Sequence, residues 1–467
     1  MRDGAGRTGR LVATGLALAA LSLLLPWALA FDPWSWVVWG RDVTRLELDT
    51  AGGPSWKPLP VVATTVLALA GAAAPALWLV LARTGGLLAL AGAAVLADRL
   101  AGRVAAVSAA TVMALSDWWL FNTALGNSEG LLAASVPWAV VAHLAGRHRA
   151  ALGLGLAAAL LRPEAWPFLG LYALWLWRAR RESLGLLALA LAPVPALWFG
   201  PDVIGAGGAL GASDAARGTA SPQSAVYADV PALEVLVDFA ALITVPVLLA
   251  AAAGTVLGGR TARWLAAGAA AWVVLVAAMT QAGYAGNPRY NVAPAAVACV
   301  LAALGVVAAG RRLAAGRGHQ PSPARAREQG VPIPAALAAV LVAAVPAFTA
   351  GDLRDQVREL GDRADRRTQL DALVDRVGGA GAVNACAPAR TVQPMKAMLA
   401  WRLDVPMDRL ADPPRPPAAV FRAPPGYDGG PALPAASGFA PVARRGAWTL
   451  AAACAGGRRL TPSSARR

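Results

Sequence analysis

The chain has 467 residues, of which 57% are hydrophobic and only 15% are charged. This composition, rich in Ala, Leu, Gly and Val, is typical of an integral membrane protein and excludes an ordinary water-soluble domain. The formal net charge of +15 could suggest a nucleic-acid partner. However, the arginines fall in short clusters between apolar segments, as orientation signals do in membrane proteins, so we expect no nucleic-acid partner.

The apolar segments predict a mainly α-helical bundle that crosses the membrane about eleven times. Crossing about 30 Å of hydrocarbon takes roughly 20 residues, and the segments 130–145 and 150–161 are short for a full crossing. The predicted spans are residues 11–30, 75–97, 104–121, 130–145, 150–161, 165–177, 184–200, 233–258, 264–282, 290–310 and 331–349. The first span ends in Ala28-Leu29-Ala30, which could be a signal-peptidase site. Cleavage there would leave Asp32 on the same, external side.

Basic clusters between the spans predict the orientation of the bundle, because Lys and Arg are enriched in cytoplasmic loops. They place the N-terminus inside the cell. The other cytoplasmic clusters are "ADRLAGR" (97–103), "GRHR" (146–149), "RARR" (178–181), "GGRTAR" (258–263) and the segment 310–330.

This orientation requires residues 59–72 to lie on the outer leaflet without crossing it, and prolines at both ends of that segment favour such a break. In the alternative, 59–82 and 85–97 both cross the membrane. That arrangement leaves Arg99 and Arg103 outside and inverts every later span.

The preferred orientation gathers the unusual polar residues on the external face. They lie in "FDPWSWVVWGRD" (31–42) and the rest of loop one to Lys57, in "GNSEG" (126–130), in "RPE" (162–164), in 201–232 and in "GNPRYN" (286–291). Because the spans 130–145 and 150–161 are short, we expect Glu129, Arg162 and Glu164 to lie below the lipid headgroups. Charges at that depth need partners or a water-filled cavity, which makes them functional candidates.

After residue 349 the sequence becomes mixed, charged and Pro-rich. We predict two domains, a transmembrane domain at 1–349 and a small extracytoplasmic α/β domain at 350–467. The second would contain an amphipathic helix over 351–378 and strands at "GAVNACA" (381–387), "PAAVFRA" (417–423) and "AWTLAAAC" (447–454). An oxidising exterior permits a disulfide between Cys386 and Cys454, with two free thiols as the alternative. Cys299 lies in an apolar span and is interpreted as a core residue.

Loop one carries residue types suited to acid–base chemistry at the membrane surface. A carboxylate such as Asp32 could accept a proton from a hydroxyl, while a nearby ammonium such as Lys57 holds a phosphate leaving group. Other catalytic signatures are missing from the sequence, including a P-loop, a Rossmann glycine pattern, HExxH and GxSxG. His143, His148 and His319 lie beside basic clusters without zinc-binding spacing.

The order and sidedness of these motifs resemble the GT-C superfamily, polytopic glycosyltransferases that take a sugar from a polyprenyl-phosphate carrier. The resemblance covers about residues 11–310. It implies that Asp32 is the base that activates the acceptor and that Lys57 contacts the carrier phosphate. It also implies that Glu129 is the second-loop acid and that Arg289 and Tyr290 lie near the donor phosphate.

Further assignments from the resemblance are weaker. Arg162 is a weaker match for a substrate-binding residue, and Trp36 and Trp56 could stack on sugar or lipid. Several members carry an adjacent acidic pair in loop one, whereas here Asp32 precedes Pro33. We therefore assign no metal ligand, although a divalent metal remains possible as a cofactor.

Each candidate also has a simpler interpretation. Asp32 could only cap a helix, as could Glu129. Lys57 could be an interfacial anchor, Arg289 a topology charge, and Arg162 with Glu164 an ion pair at a helix end. Asp117 and its neighbouring tryptophans, like Trp36 and Trp56, could belong to the interfacial aromatic belt.

The sequence thus predicts a multi-pass plasma-membrane glycosyltransferase of mannosyl- or arabinosyltransferase type. Its donor would be a lipid-linked sugar and its acceptor an extracytoplasmic glycan, lipid or protein. The alternatives are a transporter or flippase, although no internal repeat is visible, and a non-catalytic scaffold in which Asp32 is dispensable.

Overall fold

The computed structural model describes residues 2–50, 52–205, 207–218, 224–316, 333–410, 415–423 and 438–462. Nineteen α-helices and four β-strands are found in these ranges. The helices of the first half are α1 (Arg2–Leu21), α2 (Phe31–Thr44), α3 (Pro58–Ala68), α4 (Ala74–Ala101), α5 (Arg103–Ala114), α6 (Asp117–Ala124), α7 (Glu129–Leu144), α8 (His148–Leu161), α9 (Trp166–Arg180) and α10 (Leu184–Leu191). The later helices are α11 (Pro193–Gly205), α12 (Gly211–Gly218), α13 (Pro231–Ile243), α14 (Val245–Leu257), α15 (Gly259–Gln281), α16 (Val292–Gly316), α17 (Ile333–Arg376), α18 (Gly379–Cys386) and α19 (Lys396–Leu403). The strands are β1 (Ala389–Arg390), β2 (Ala418–Arg422), β3 (Ala440–Arg445) and β4 (Trp448–Ala453).

The region around residues 59–101 settles the choice between the two predicted arrangements. Helix α4 is continuous over 28 residues, whereas α3 has only 11 and packs against α2. The shorter helix is too short to cross the hydrocarbon layer. The alternative in which 59–82 and 85–97 are separate spans is therefore wrong.

Each predicted span is largely helical, but two of them are broken. In the described ranges, five helices are long and apolar enough to cross a membrane, or seven if two bent pairs each count as one span. Helices α5 and α6 meet at 63°, and α13 and α14 meet at 96°. The second bend lies at Thr244, whose φ of +66° interrupts the helix just before Pro246. The span predicted over 233–258 is therefore a bent pair of helices, and its crossing of the membrane stays a prediction.

Small residues allow the central helices to pack closely. Helix α16 lies in the middle of the bundle with most of its residues buried. A Cβ added at Gly254 of α14 would lie 1.9 Å from the carbonyl oxygen of Leu301, and one added at Gly305 would lie 2.0 Å from that of Ala250. Only glycine permits this backbone contact, which is the usual way in which membrane helices associate closely.

The basic clusters converge at one end of the bundle, called here the basic end. Arg311 donates a hydrogen bond to the Ala101 carbonyl at 2.8 Å, and Arg99 donates to the Val141 carbonyl at 3.3 Å. Arg149 pairs with Glu182 at 3.1 Å. Residues 317–330 of the last predicted cluster, including His319, lie outside the described residues.

The described part of residues 350–467, called here the C-terminal region, contains helices and a small four-stranded sheet. Its sheet has the strand order β1-β2-β4-β3, with β1 parallel to β2 and the other pairs antiparallel. The strands predicted at 417–423 and 447–454 are confirmed. The strand predicted at 381–387 is wrong, since that segment forms α18. There the Asn384 side chain donates a hydrogen bond to the Leu403 carbonyl.

The sulfur atoms of Cys386 and Cys454 are joined in a disulfide, as the sequence analysis expected. It links the end of α18 to the segment after β4. Cys299 is a buried free cysteine in α16, which agrees with its interpretation as a core residue.

The C-terminal region packs closely on loop one. One buried cluster joins tryptophans of α2 with Leu399, Met407 and Trp448 of the C-terminal region. Helix α17 runs through residues 349 and 350 without interruption, and its first half packs against α16 and α5. The division of the chain into domains at 349/350 stays a prediction.

Candidate active site

Asp32 and Arg289 form an ion pair at the end of the bundle opposite the basic end. Asp32 lies in the first turn of α2, and Arg289 lies in a short 3-10 turn that leads into α16. The Nη2 atom of Arg289 is 2.9 Å from Oδ2 of Asp32. The predicted base and the predicted late-loop cation are therefore in contact.

Lys57 and Glu129 form a second pair beside the first. Lys57 directly precedes α3, and its extended backbone ends where Pro58 starts that helix. Its Nζ atom donates to Oγ of Ser128 at 3.1 Å and lies 3.5 Å from Oε1 of Glu129. Burial in loop one lowers the pKa of Lys57 to about 8, and the charge of Glu129 partly offsets this effect.

Arg162 and its partner Glu164 lie next to the same group of charged residues. It follows α8 and lies 3.8 Å from Oε1 of Glu164, so the expected ion pair at a helix end is present. Its guanidinium carbon also lies 3.8 Å from the centroid of the Tyr290 ring. This cation–π contact joins Arg162 to the residue that follows Arg289 in the chain.

These six charged residues belong to a single electrostatic cluster, called here the site cluster. Charges on Glu129, Arg162, Arg289 and Asp32 all act on Lys57. Three carboxylates and three cations balance one another. The members of the site cluster are Asp32, Lys57, Glu129, Arg162, Glu164 and Arg289.

Several buried polar atoms around the site cluster have no hydrogen-bond partner. They are both carboxylate oxygens of Glu129, Nε and Nη2 of Arg162, Oε2 of Glu164, and the side-chain oxygens of Asn127 and Asn291. Buried polar groups in native proteins are nearly always bonded to protein, water or ligand. Their concentration at one place is typical of a site that binds a polar ligand.

The cluster has an open and a closed side. The side chains of Arg289 and Asp32 are 31% and 12% exposed, whereas those of Glu129 and Glu164 are 1% and 3% exposed. Asp32 is therefore the most accessible of the three acids of the cluster.

The simpler interpretations describe these residues incompletely. The N-cap residues of α2 and α7 are Ala30 and Ser128, so Asp32 and Glu129 lie inside their helices and are not the N-cap residues. Lys57 is buried against protein rather than extended toward headgroups. Arg289 is paired with Asp32, which gives this arginine a local partner.

Trp36 and Trp56 are both buried inside the protein. Trp36 is fully buried, packs edge-on against Trp78, and has Nζ of Lys57 5.2 Å from its ring centroid. Trp56 is also buried and donates to the Leu197 carbonyl at 2.9 Å. Neither ring presents a free face on which a sugar could stack.

The donor set does not fit a divalent cation. Within the described ranges, no group of three or more His, Cys, Asp or Glu residues lies close enough to hold a metal ion. Each acid of the site cluster already faces a cation.

Sequence reasoning missed some of the polar lining. Ser128 and Asn127 lie in the "GNSEG" motif beside the predicted Glu129, and Asn291 follows Tyr290. All three residues are close in the sequence to residues that were predicted to belong to the site, and this closeness could have indicated them. The interpretation of Arg162 and Glu164 as a plain helix-end pair overlooked the contact with Tyr290.

The fold is similar to that of solved membrane proteins. ArnT from Cupriavidus metallidurans bound to undecaprenyl phosphate aligns with a TM-score of 0.58 at 15% identity, over 98% of this chain and 99% of that one. Its apo structure aligns with a TM-score of 0.56 at 16% identity, over 96% and 98%. No family model and no curated protein matches the sequence. The predicted resemblance is thus confirmed at the level of the fold: this chain is similar to ArnT along nearly its whole length.

Proposed function

We propose that this protein transfers a sugar from a polyprenyl-phosphate carrier to an acceptor hydroxyl, with inversion at the anomeric carbon. The observation that carries the proposal is the Asp32–Arg289 pair at the open side of the site cluster, with Lys57 and Arg162 behind it. A base thus stands beside three cations suited to a phosphate. The bound undecaprenyl phosphate of the similar ArnT structure supports the carrier class.

The reaction is a single displacement. Asp32 accepts the proton of the acceptor hydroxyl while the hydroxyl oxygen attacks the anomeric carbon. A new C–O bond forms as the bond between that carbon and the phosphate oxygen breaks. The electron pair leaves with the polyprenyl phosphate, and attack from the opposite face inverts the anomeric centre.

The cations stabilise the leaving group. Negative charge grows on the phosphate oxygen in the transition state, and preorganised cations are most effective against such developing charge. Lys57 and Arg289 supply this charge. Arg162 adds Nε and Nη2, two donors that have no hydrogen-bond partner. A guanidinium offers such donors in a fork that matches phosphate geometry.

Glu129 acts from behind the leaving-group site. It is almost fully buried and lies next to Lys57, so it keeps that ammonium protonated and directed into the site. Its free carboxylate oxygens can also accept hydrogen bonds from hydroxyls of the donor sugar, which would orient the donor.

The site cluster would lie on the extracytoplasmic side of the plasma membrane. Arginine clusters at the basic end support a cytoplasmic position for that end and for the N-terminus. The C-terminal region, which packs on loop one, would then be an extracytoplasmic domain. The acceptor would be a glycan, lipid or protein on that side, and the sugar a hexose or a pentose such as mannose or arabinose.

The proposal is tested with Asp32→Asn in membranes supplied with labelled polyprenyl-phosphate hexoses and pentoses. Removal of a general base lowers rates by about 10²–10⁴-fold. Asp98→Asn, an exposed acid at the basic end, is the matched control. Unchanged transfer by Asp32→Asn at equal membrane level would remove the base assignment. Movement of a solute without a glycosylated product in the wild type would favour a transporter.

A further inference from the structure

Helix α2 joins the site cluster to the C-terminal region. Asp32 lies in its first turn and Arg41 in its last. At 1.5 Å per residue, the two positions are separated by about 14 Å along one helix. Anything that fixes Arg41 therefore also sets the position of Asp32.

We propose that the C-terminal region positions Asp32 through α2, with Arg41 and Asp404 as the positioning residues. This inference rests on the proposed function, in which Asp32 is the base. It assigns the C-terminal region a part in catalysis although that region contributes no residue to the site cluster.

The contact at the far end of α2 is specific. Nη1 of Arg41 lies 3.0 Å from Oδ1 of Asp404, and its Nη2 donates to the Val405 carbonyl at 2.8 Å. Asp404 has a φ of +57°, which ends α19 and turns the chain so that both acceptors face Arg41. A fixed guanidinium fork with two acceptors defines an orientation as well as a distance.

The surroundings of Arg41 leave α2 little freedom. Its Nε and Nη2 also bond Oδ1 of Asp42 at 3.0 and 2.9 Å. Burial raises the pKa of Asp42, and Arg41 opposes this effect. Loss of Arg41 would leave a buried carboxylate without its main partner, which is costly.

Helix α2 is held at its site end and also along the rest of its length. The Ala30 amide donates to the Leu125 carbonyl at 3.0 Å, just before Asp32. A Cβ added at Gly40 would lie 2.5 Å from the Thr64 carbonyl carbon, so α2 and α3 are in backbone contact. Thr64 also donates to the Trp36 carbonyl at 2.6 Å. Helix α3 starts directly after Lys57, so displacement of α2 would move Asp32 and Lys57 together.

The test uses Asp404→Ala, because the Asp404 side chain is 59% exposed and its loss leaves no buried cavity. Small displacements of reacting groups cost up to about 100-fold in rate. We expect kcat to fall about 10-fold while KM for the carrier changes little. Asp404→Glu should recover part of the rate, and Asp408→Asn, an exposed neighbour, serves as the control.

Combination with Asp32→Asn separates positioning from general damage. If Asp404 acts through Asp32, Asp404→Ala will lower kcat only where Asp32 is present. An equal loss in the Asp32→Asn background would overturn the positioning role and leave the proposed function standing. An absence of sugar transfer in the wild type would instead count against the proposed function.

Hydrogen exchange tests the structural part without any substrate. Asp404→Ala should speed exchange of the α2 amides, because the far end of the helix is released. Unchanged exchange in α2 would overturn the proposal whatever the reaction is.

Discussion

Asp32 and Arg289 come from opposite ends of the membrane-spanning part of the chain, yet their side chains meet at 2.9 Å. One precedes the long helix α4 and the other precedes the central helix α16. In the proposed reaction the arginine serves two groups, because it orients the carboxylate and lies where the phosphate departs. The two residues should therefore act as one unit.

Arg289→Ala is expected to lower kcat/KM by about 10²–10³-fold, comparable to loss of a preorganised transition-state donor. The double variant with Asp32→Asn should lose much less than the product of the two single losses, since residues that act as a unit are not additive. Steady-state kinetics with a fixed carrier concentration measure both. Arg312→Ala, exposed at the basic end, should be unaffected. Fully multiplicative losses would mean that the pair does not act jointly.

We expect the pKa of Lys57 to set the pH above which activity falls. Burial lowers its pKa to about 8. The ammonium that neutralises the phosphate is present below this value and is lost as the pH rises through it. Activity of the wild type should thus fall above about pH 8 with the loss of one proton, as kcat/KM between pH 6 and 10 will show. In Lys57→Arg the guanidinium stays protonated, so any remaining activity should not fall above about pH 8. A flat wild-type profile to pH 10 would contradict the assignment.

Glu129→Gln should move that alkaline limit to lower pH. The carboxylate of Glu129 raises the pKa of Lys57 against the effect of burial. Without this carboxylate the ammonium of Lys57 loses its proton more easily, so the fall in activity begins at a lower pH. The Gln amide keeps the shape of the side chain. The same pH series measures the shift. If activity falls at the same pH as in the wild type, Glu129 does not control the charge of Lys57.

The sequence was sufficient to predict much of the site because sidedness is local information. Arginine clusters and loop order placed Asp32, Lys57, Glu129, Arg162 and Arg289 on one face, and the structure brings them together. The helical bundle with a small C-terminal sheet followed from composition in the same way.

The remaining features depend on tertiary contacts that no local pattern records. A hydropathy window averages across Thr244 and cannot detect the 96° bend there. Burial of Trp36 depends on Trp78, and the stack of Arg162 on Tyr290 joins distant helices. The helix at 379–386 replaces a predicted strand because short Ala-rich segments fit either state until packing decides.

The orientation of the bundle can be measured with single cysteines, because the native thiols give little background. Cys386 and Cys454 are joined to each other, and Cys299 is buried. Leu46 in loop one is 95% exposed, and Arg147 is exposed between α7 and α8 at the basic end. In intact cells a membrane-impermeant maleimide should label Leu46→Cys, and should reach Arg147→Cys only after permeabilisation.

This pattern is required by the proposed reaction, since a carrier and an acceptor on the extracytoplasmic side must both reach Asp32. Labelling of Arg147→Cys in intact cells, with Leu46→Cys unlabelled, would mean that the bundle has the opposite orientation in the membrane and that the site cluster faces the cytoplasm. Labelling of both would mean that the two ends do not lie on opposite sides of the membrane. The first result would remove the sidedness on which the assignments of Asp32 and Lys57 depend, because an external acceptor could then no longer reach the base.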